Sequence, residues 1–117
     1  MCISDSGNPV YKEIFRRPAT SAGGAILAAR LTRMGGIVHV PGAGTHHAFP
    51  DRASGFCYIN DPVIGLLEWL DLGLDNILYL DIDAHHGDGV EFAFHDDPRV
   101  FTPVSYTHLT LPTKRIV

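Results

Sequence analysis

The sequence predicts an α/β fold built around a parallel sheet. Short apolar runs alternate with helix-like segments along the 117 residues, which is the order that strand–helix–strand units produce. The best-defined run, 77–80, is apolar on both faces, as in a strand that helices cover on both sides. Polar clusters follow two of the apolar runs. Because ligands bind beyond the carboxyl ends of parallel strands, we expect the two clusters to share one pocket.

The first helix and strand are predicted from capping and stop signals. Thr20 or Ser21 caps a helix that ends at Gly35. Its apolar residues at helical spacing are Leu27, Leu31 and Met34. A short strand follows at 37–40, bounded by glycine and proline.

The second half of the chain repeats this alternation. Asp61 caps a helix over 61–72, with Pro62 at its first position and Gly73 at its end. Its apolar side is formed by Val63, Leu66, Leu67 and Leu70. A strand at 77–80, a short helix at 90–94 and a strand at 100–102 complete the predicted fold.

Composition excludes several classes of function. The net charge is −4 and the basic residues are scattered, so we expect no nucleic-acid partner. No apolar run approaches the roughly 20 residues that span a bilayer, and no membrane partner is expected. Cys2 and Cys57 are too few and too far apart for a disulfide scaffold. These features are typical of a cytoplasmic protein.

The stretch 81–89, Asp-Ile-Asp-Ala-His-His-Gly-Asp-Gly, is the strongest candidate for a functional site. If the preceding strand continues to Asp83, then Asp81, Asp83 and His85 line one face, because side chains alternate along a strand. The glycines on either side of Asp88 allow a turn that brings a third carboxylate back near the end of the strand. Such a row can hold a divalent metal. A solvated polar loop is the alternative, but it does not explain the alternation.

A second cluster, His46-His47, follows the strand at 37–40 in a loop of small residues. A metal held by Asp83 and His85 can polarise a carbonyl and activate water. Histidine suits the proton transfers, and Asp81 and Asp88 would orient the imidazoles. The pattern predicts a metal-dependent hydrolase. The mixed N/O donor set favours zinc, with Fe(II), Co(II) and Mn(II) left open.

Three stretches resemble one known family. GTHHA at 44–48, GFCYIND at 55–61 and DIDAHHGDG at 81–89 are similar to motifs of the zinc-dependent histone deacetylases, including bacterial acetoin-utilisation-type and acetylpolyamine deacetylases. The resemblance is clearest over 19–102. It implies an arginase–deacetylase fold, truncated here at both ends, and hydrolysis of the acetyl amide of acetyl-lysine or a similar acylated amine.

The resemblance implies a role for each matching residue. Asp83 and His85 would be zinc ligands, with His47 as general base and acid and His46 as the imidazole that stabilises the transition state. Asp81 would pair with His46, and Asp88 with His47. Gly55 and Phe56 would form a wall of the substrate tunnel. Main-chain oxygens of Asp81, Asp83 and His85 would form part of a potassium site.

Two parts of the family pattern have no counterpart. The third zinc ligand, a downstream aspartate, and the transition-state tyrosine are missing, and Tyr106 lies too early to replace the latter. Residues 1–103 therefore resemble an internal piece of a histone deacetylase domain, and we expect it to be inactive alone. Residues 104–117 resemble translated adapter sequence, and we expect this tail to be non-native.

Two other functions remain as alternatives. A ureohydrolase of the same fold would bind two manganese ions, but His46-His47 and 55–57 follow the deacetylase pattern. A non-catalytic module would bind acylated ligands or a partner, and the intact histidines and ligands disfavour it. The substrate is left open between acetylated protein lysine and a small acetylated amine.

Overall fold

The computed structural model describes residues 8–103. Its elements, in chain order, are α1 (Arg16–Leu31), α2 (Asp61–Asp71), β1 (Ile77–Leu78), α3 (Asp88–Phe94) and β2 (Val100–Phe101). The strands β1 and β2 pair in parallel, with Ile77 opposite Val100. The α/β class with parallel strand pairing is therefore confirmed. The predicted non-native tail and Tyr106 lie outside the described residues.

Helix α1 begins earlier than predicted, so the expected cap at Thr20 or Ser21 was wrong. Both hydroxyls lie inside the helix, where Thr20 donates to the carbonyl of Arg16 at 2.8 Å. Pro18 explains the earlier start, because the missing N–H of a proline costs nothing in the first turn of a helix. The helix ends at Leu31, and Gly35 follows with a φ of +104°.

Helix α1 packs through its small residues. Ala22 and Ala29 are buried, and Ala25 faces Gly65 of α2. The predicted apolar side of this helix was wrong: Leu27 and Leu31 are exposed, and Met34 is 92% exposed. Alanines permit a close approach of two helices that leucines would prevent, which the spacing of large apolar residues does not reveal.

The predicted strand at 37–40 was also wrong. Among the described residues no segment pairs with it, and Ile37 is 98% exposed. A strand needs a neighbour for its N–H and C=O groups, and the apolar character of the segment cannot supply one.

Helix α2 is capped one residue earlier than predicted. The Asn60 side chain accepts the N–H of Val63 at 3.1 Å, which makes Asp61 the first helical residue and places Pro62 second. Leu66 is buried as expected, whereas Leu67 is 51% exposed and does not join the core.

The core lies where α2, α3 and the two strands meet. It consists of Leu66, Ile77, Val90, Phe94 and Val100. The other side of the sheet is exposed and apolar, through Leu78, Leu80, Ile82 and Phe101. No helix within residues 8–103 is long and apolar enough to cross a membrane.

Candidate active site

Two segments distant in sequence meet beyond β1. The Nδ1 atom of His46 lies 2.6 Å from Oδ2 of Asp81, and Nδ1 of His47 lies 2.7 Å from Oδ1 of Asp88. The two imidazole rings are adjacent, with centroids 4.2 Å apart. The structure thus brings together the four residues predicted to form two His–Asp pairs.

Each pair fixes the chemistry of its imidazole. A proton on Nδ1 is donated to the carboxylate, which leaves Nε2 with the lone pair that can accept a proton. The same carboxylate stabilises the imidazolium once that proton has arrived. His46 is buried and His47 is half-buried, so His47 has the better access for a substrate.

Asp81 is held by more than its histidine. Burial raises the pKa of this carboxyl, but hydrogen bonds from His46, the Asp83 amide at 3.0 Å and the Tyr79 hydroxyl at 2.9 Å outweigh burial and lower it. Burial and then Asp81 raise the pKa of Tyr79, so this phenol stays protonated. The sequence reasoning missed Tyr79, although its position two residues before Asp81 on a strand places both on one face.

Glycines allow the close approach of these groups. A Cβ on Gly87 would lie 2.5 Å from Oδ2 of Asp81, and one on Gly55 would lie 2.6 Å from Cδ2 of His47. A Cβ on Gly89 would collide with the carbonyl of Ala48. A side chain at any of these positions would displace a part of the site.

Asp83 and His85, the predicted metal ligands, are adjacent and exposed. Oδ1 of Asp83 accepts the His85 amide at 2.7 Å and lies 3.1 Å from its Nδ1. The bond from this amide lowers the pKa of Asp83. Two donors that each bind zinc at about 2.0–2.2 Å lie roughly 3.3–3.6 Å apart in a tetrahedral site, so this pair fits zinc with a small adjustment.

Asp83 and His85 are the two metal donors that the described residues bring together. Residues 8–103 contain no group of three or more histidine, cysteine, aspartate or glutamate side chains arranged to hold an ion. The pair adjoins the proposed base, because the His47 and His85 rings are 6.4 Å apart. A concavity of about 10 Å³, enough for one water, is lined there by Tyr79, Asp81, Asp83, His85, His86 and Glu91.

Phe56 is presented to solvent beside the histidines. It is 74% exposed, in a tight turn where Gly55 and Phe56 have φ values of +51° and +60°. The Phe56 amide donates to Oδ1 of Asn8 at 2.7 Å, which holds the turn. The turn lies close to His47, because a Cβ on Gly55 would meet its ring.

Asn60 and Asp61 were missed as site residues: Asp61 was predicted as a helix cap, and Asn60 was placed in the family-like stretch 55–61 without a role of its own. Their side chains bond to the histidine loop: Asp61 accepts the Gly44 amide at 2.7 Å, and Asn60 donates to the carbonyl of His46 at 3.1 Å. Their place in the stretch 55–61 was the available sequence signal, and the burial of Asp61 is visible in the structure alone.

Comparison with known proteins identifies the family. The sequence model of the histone deacetylase domain matches residues 2–113. The chain is 49% identical over 96 residues to histone deacetylase 6 of Arabidopsis thaliana, covering 80% of this chain and 20% of that protein. It is 40% identical over 102 residues to the acetoin utilization protein AcuC of Bacillus subtilis, covering 86% and 26%.

A solved structure agrees with these relatives. The chain is similar to the crystal structure of an HDAC homolog from Aquifex aeolicus, with a TM-score of 0.74, 44% identity and coverage of 81% of this chain and 26% of that one. The chain spans about a fifth to a quarter of the length of these relatives. A family model that matches residues 2–113, together with a solved relative of similar fold and 44% identity, shows that the chain belongs to the histone deacetylase family.

Proposed function

We propose that the protein containing this chain is a zinc-dependent deacetylase that hydrolyses the acetyl amide of acetyl-lysine or a similar acylated amine. The observation that carries the proposal is the pair of carboxylate-bound histidines beside the Asp83–His85 donor pair. Family membership supports deacetylation and metal dependence in general terms. Zinc is favoured over Fe(II) and Co(II) by the donor types, and potassium near the main chain of 81–85 belongs to the same proposal.

The residues of this chain have separate tasks in the reaction. Asp83 and His85 would hold the metal, which supplies Lewis acidity to the acetyl carbonyl and to a water. His47 accepts the proton of the attacking water at Nε2 and later delivers it to the departing amine. Asp88 keeps the proton on Nδ1 of His47 and stabilises its imidazolium.

His46 is placed to stabilise negative charge on the acetyl oxygen. Its Nδ1 atom is held by Asp81 at 2.6 Å, and the ring is buried against His47, where an electrostatic interaction acts through a low dielectric. Phe56 would cover the alkyl chain of the substrate, because an exposed ring next to the base gives the amine stem an apolar surface.

The proposed substrates are acetylated protein lysines or small acetylated amines of the cytoplasm, without nucleic-acid or membrane partners. Two relatives are named as histone deacetylases, from Arabidopsis thaliana and Saccharomyces cerevisiae, and one as an acetoin utilization protein. The histone deacetylase names support acetylated substrates, and a panel of acetylated peptides and polyamines would choose among them.

A segment exchange tests the function. Residues 8–103 replace the aligned segment of the Aquifex aeolicus homologue, and the zinc-loaded chimera is assayed for amine release from an acetyl-lysine peptide. We expect activity that His47→Ala lowers by about 10²–10⁴, while His95→Ala, at an exposed histidine away from the site, leaves it unchanged. A folded, zinc-loaded chimera with no activity would contradict the proposal and favour a binding module.

A further inference from the structure

We infer that Asn60 and Asp61, at the start of α2, are positioning residues for the His46–His47 loop. This inference rests on the proposed function, since it concerns the histidines that act there. It adds to the site two side chains that would touch neither substrate nor metal.

Asp61 fixes the backbone just before the histidines. The residue is completely buried, and its carboxylate accepts the Gly44 amide at 2.7 Å and the hydroxyls of Ser21 and Thr45, both at 2.7 Å. Its position in the first turn of α2 adds the favourable end of the helix dipole. A buried carboxylate is tolerated only with such donors, so it enforces the loop conformation that provides them.

Asn60 fixes the backbone on both sides of His47. Its Nδ2 group donates to the carbonyl of His46 at 3.1 Å and to the carbonyl of Ala48 at 3.0 Å, while its Oδ1 caps α2 through Val63. The Gly89 amide also donates to the His46 carbonyl, at 3.1 Å. One side chain therefore joins α2 to the carbonyls of the residues before and after His47.

The two side chains hold the loop while the carboxylates of Asp81 and Asp88 orient the rings. Both contribute to the His–Asp distances of 2.6 and 2.7 Å, because these distances depend on where the backbone places each ring. The core holds α2 in place, because Leu66 of this helix packs in the core cluster. Displacements of about 1 Å near reacting groups are enough to slow catalysis by about a hundredfold.

Asn60→Asp is the decisive variant. An aspartate keeps the oxygen that caps α2 but cannot donate to the carbonyls of His46 and Ala48, so it separates positioning from helix capping. In the 117-residue chain we expect loss or broadening of the Nδ1–H NMR resonances of His46 and His47, with unchanged amide resonances in α3. Unchanged histidine resonances would overturn the inference, and so would equal disturbance of the loop and α3.

Substitutions at Asp61 provide an independent measurement. Asp61→Ala should speed amide hydrogen exchange at Gly44 and Thr45 by about tenfold or more. Asp61→Asn should largely preserve protection, because its oxygen still accepts the Gly44 amide and the hydroxyls have second acceptors in the carbonyls of Gly42 and Ile59. Asp71→Ala, at the exposed end of the same helix, is the control. Slow exchange at both amides in Asp61→Ala would contradict the inference.

Kinetics in the chimera separate this inference from the proposed function. Asn60→Asp should lower kcat by about a hundredfold with KM nearly unchanged, because the substrate does not touch Asn60. If the parent chimera is inactive, the proposed function fails, but the NMR measurements still decide the positioning role. An unchanged kcat in an active chimera would overturn the inference.

Discussion

Gly87→Ala tests whether the His46–Asp81 pair depends on the space that a glycine leaves. Gly87 has a φ of −75°, which alanine adopts without strain, so the effect is steric. The added Cβ would meet Oδ2 of Asp81 at 2.5 Å and Nδ1 of His46 at 3.1 Å. Backbone strain therefore does not complicate the result.

The geometry gives the magnitude. Ordinary contact begins at 3.4 Å, so the carboxylate oxygen must retreat by about 0.9 Å from the new Cβ. The new Cβ, Oδ2 of Asp81 and Nδ1 of His46 form a triangle, so this retreat lengthens the 2.6 Å hydrogen bond to about 3.0 Å and weakens it without breaking it. A hydrogen bond to a charged group contributes about 1.5–3 kcal/mol, and a stretched bond loses part of this, so we expect the free energy of unfolding to fall by about 1 kcal/mol.

Urea unfolding of the 117-residue chain, followed by circular dichroism, measures the loss. A change of about 1 kcal/mol lowers the midpoint by roughly 0.5 M. Gly23→Ala is the matched control: its Cβ meets nothing within 4 Å, and it should stabilise α1 by about 0.5–1 kcal/mol. A Gly87→Ala variant with the wild-type midpoint and an intact Nδ1–H resonance of His46 would refute this reasoning.

Three further predictions address the carboxylates. Asp88→Asn in the active chimera should lower kcat by about 10²–10⁴, because the amide cannot stabilise the His47 imidazolium; little change would place the base elsewhere. The pKa of Asp81 is lowered from 3.8 in the folded chain, so ionised Asp81 contributes its full stabilisation above pH 3.8 and loses it as the pH falls through the lowered value. The unfolding free energies of the wild-type chain and of Asp81→Asn, measured as a function of pH, should therefore converge below about pH 4. Calorimetry should detect one zinc per chimera, weakened roughly tenfold or more by Asp83→Ala but not by Asp96→Ala, whereas two manganese ions would indicate a ureohydrolase.

The sequence predicted what local patterns determine. A polar cluster after an apolar strand led to Asp81 and Asp83, and the Asp88 turn was identified from its flanking glycines. Pairing of His46 and His47 with specific carboxylates followed from the family resemblance, since spacing alone does not indicate which side chains meet across about 35–41 residues.

The wrong and missed predictions have one physical cause: whether a segment becomes a strand, a packed helix face or a site residue depends on the distant segments that contact it. The segment 37–40 has strand character, but no described segment pairs with it through backbone hydrogen bonds. Met34 has helical spacing, but α1 packs through alanines instead. Asp61 was taken for an ordinary helix cap, because its burial and its bonds depend on contacts from two distant segments, Ser21 of α1 and the loop at 44–45.

The site and the core are mechanically one unit. Val90 is completely buried and lies two residues after Asp88, while Leu66 lies on the helix whose first residues bond to the histidine loop. These two side chains meet in the same core cluster as Ile77, at the start of the strand that leads to Asp81. The segments that carry the histidines and the aspartates are therefore both held by the same core cluster. Loosening that core would separate the pairs even if every polar residue of the site were retained, because their short bonds tolerate little displacement.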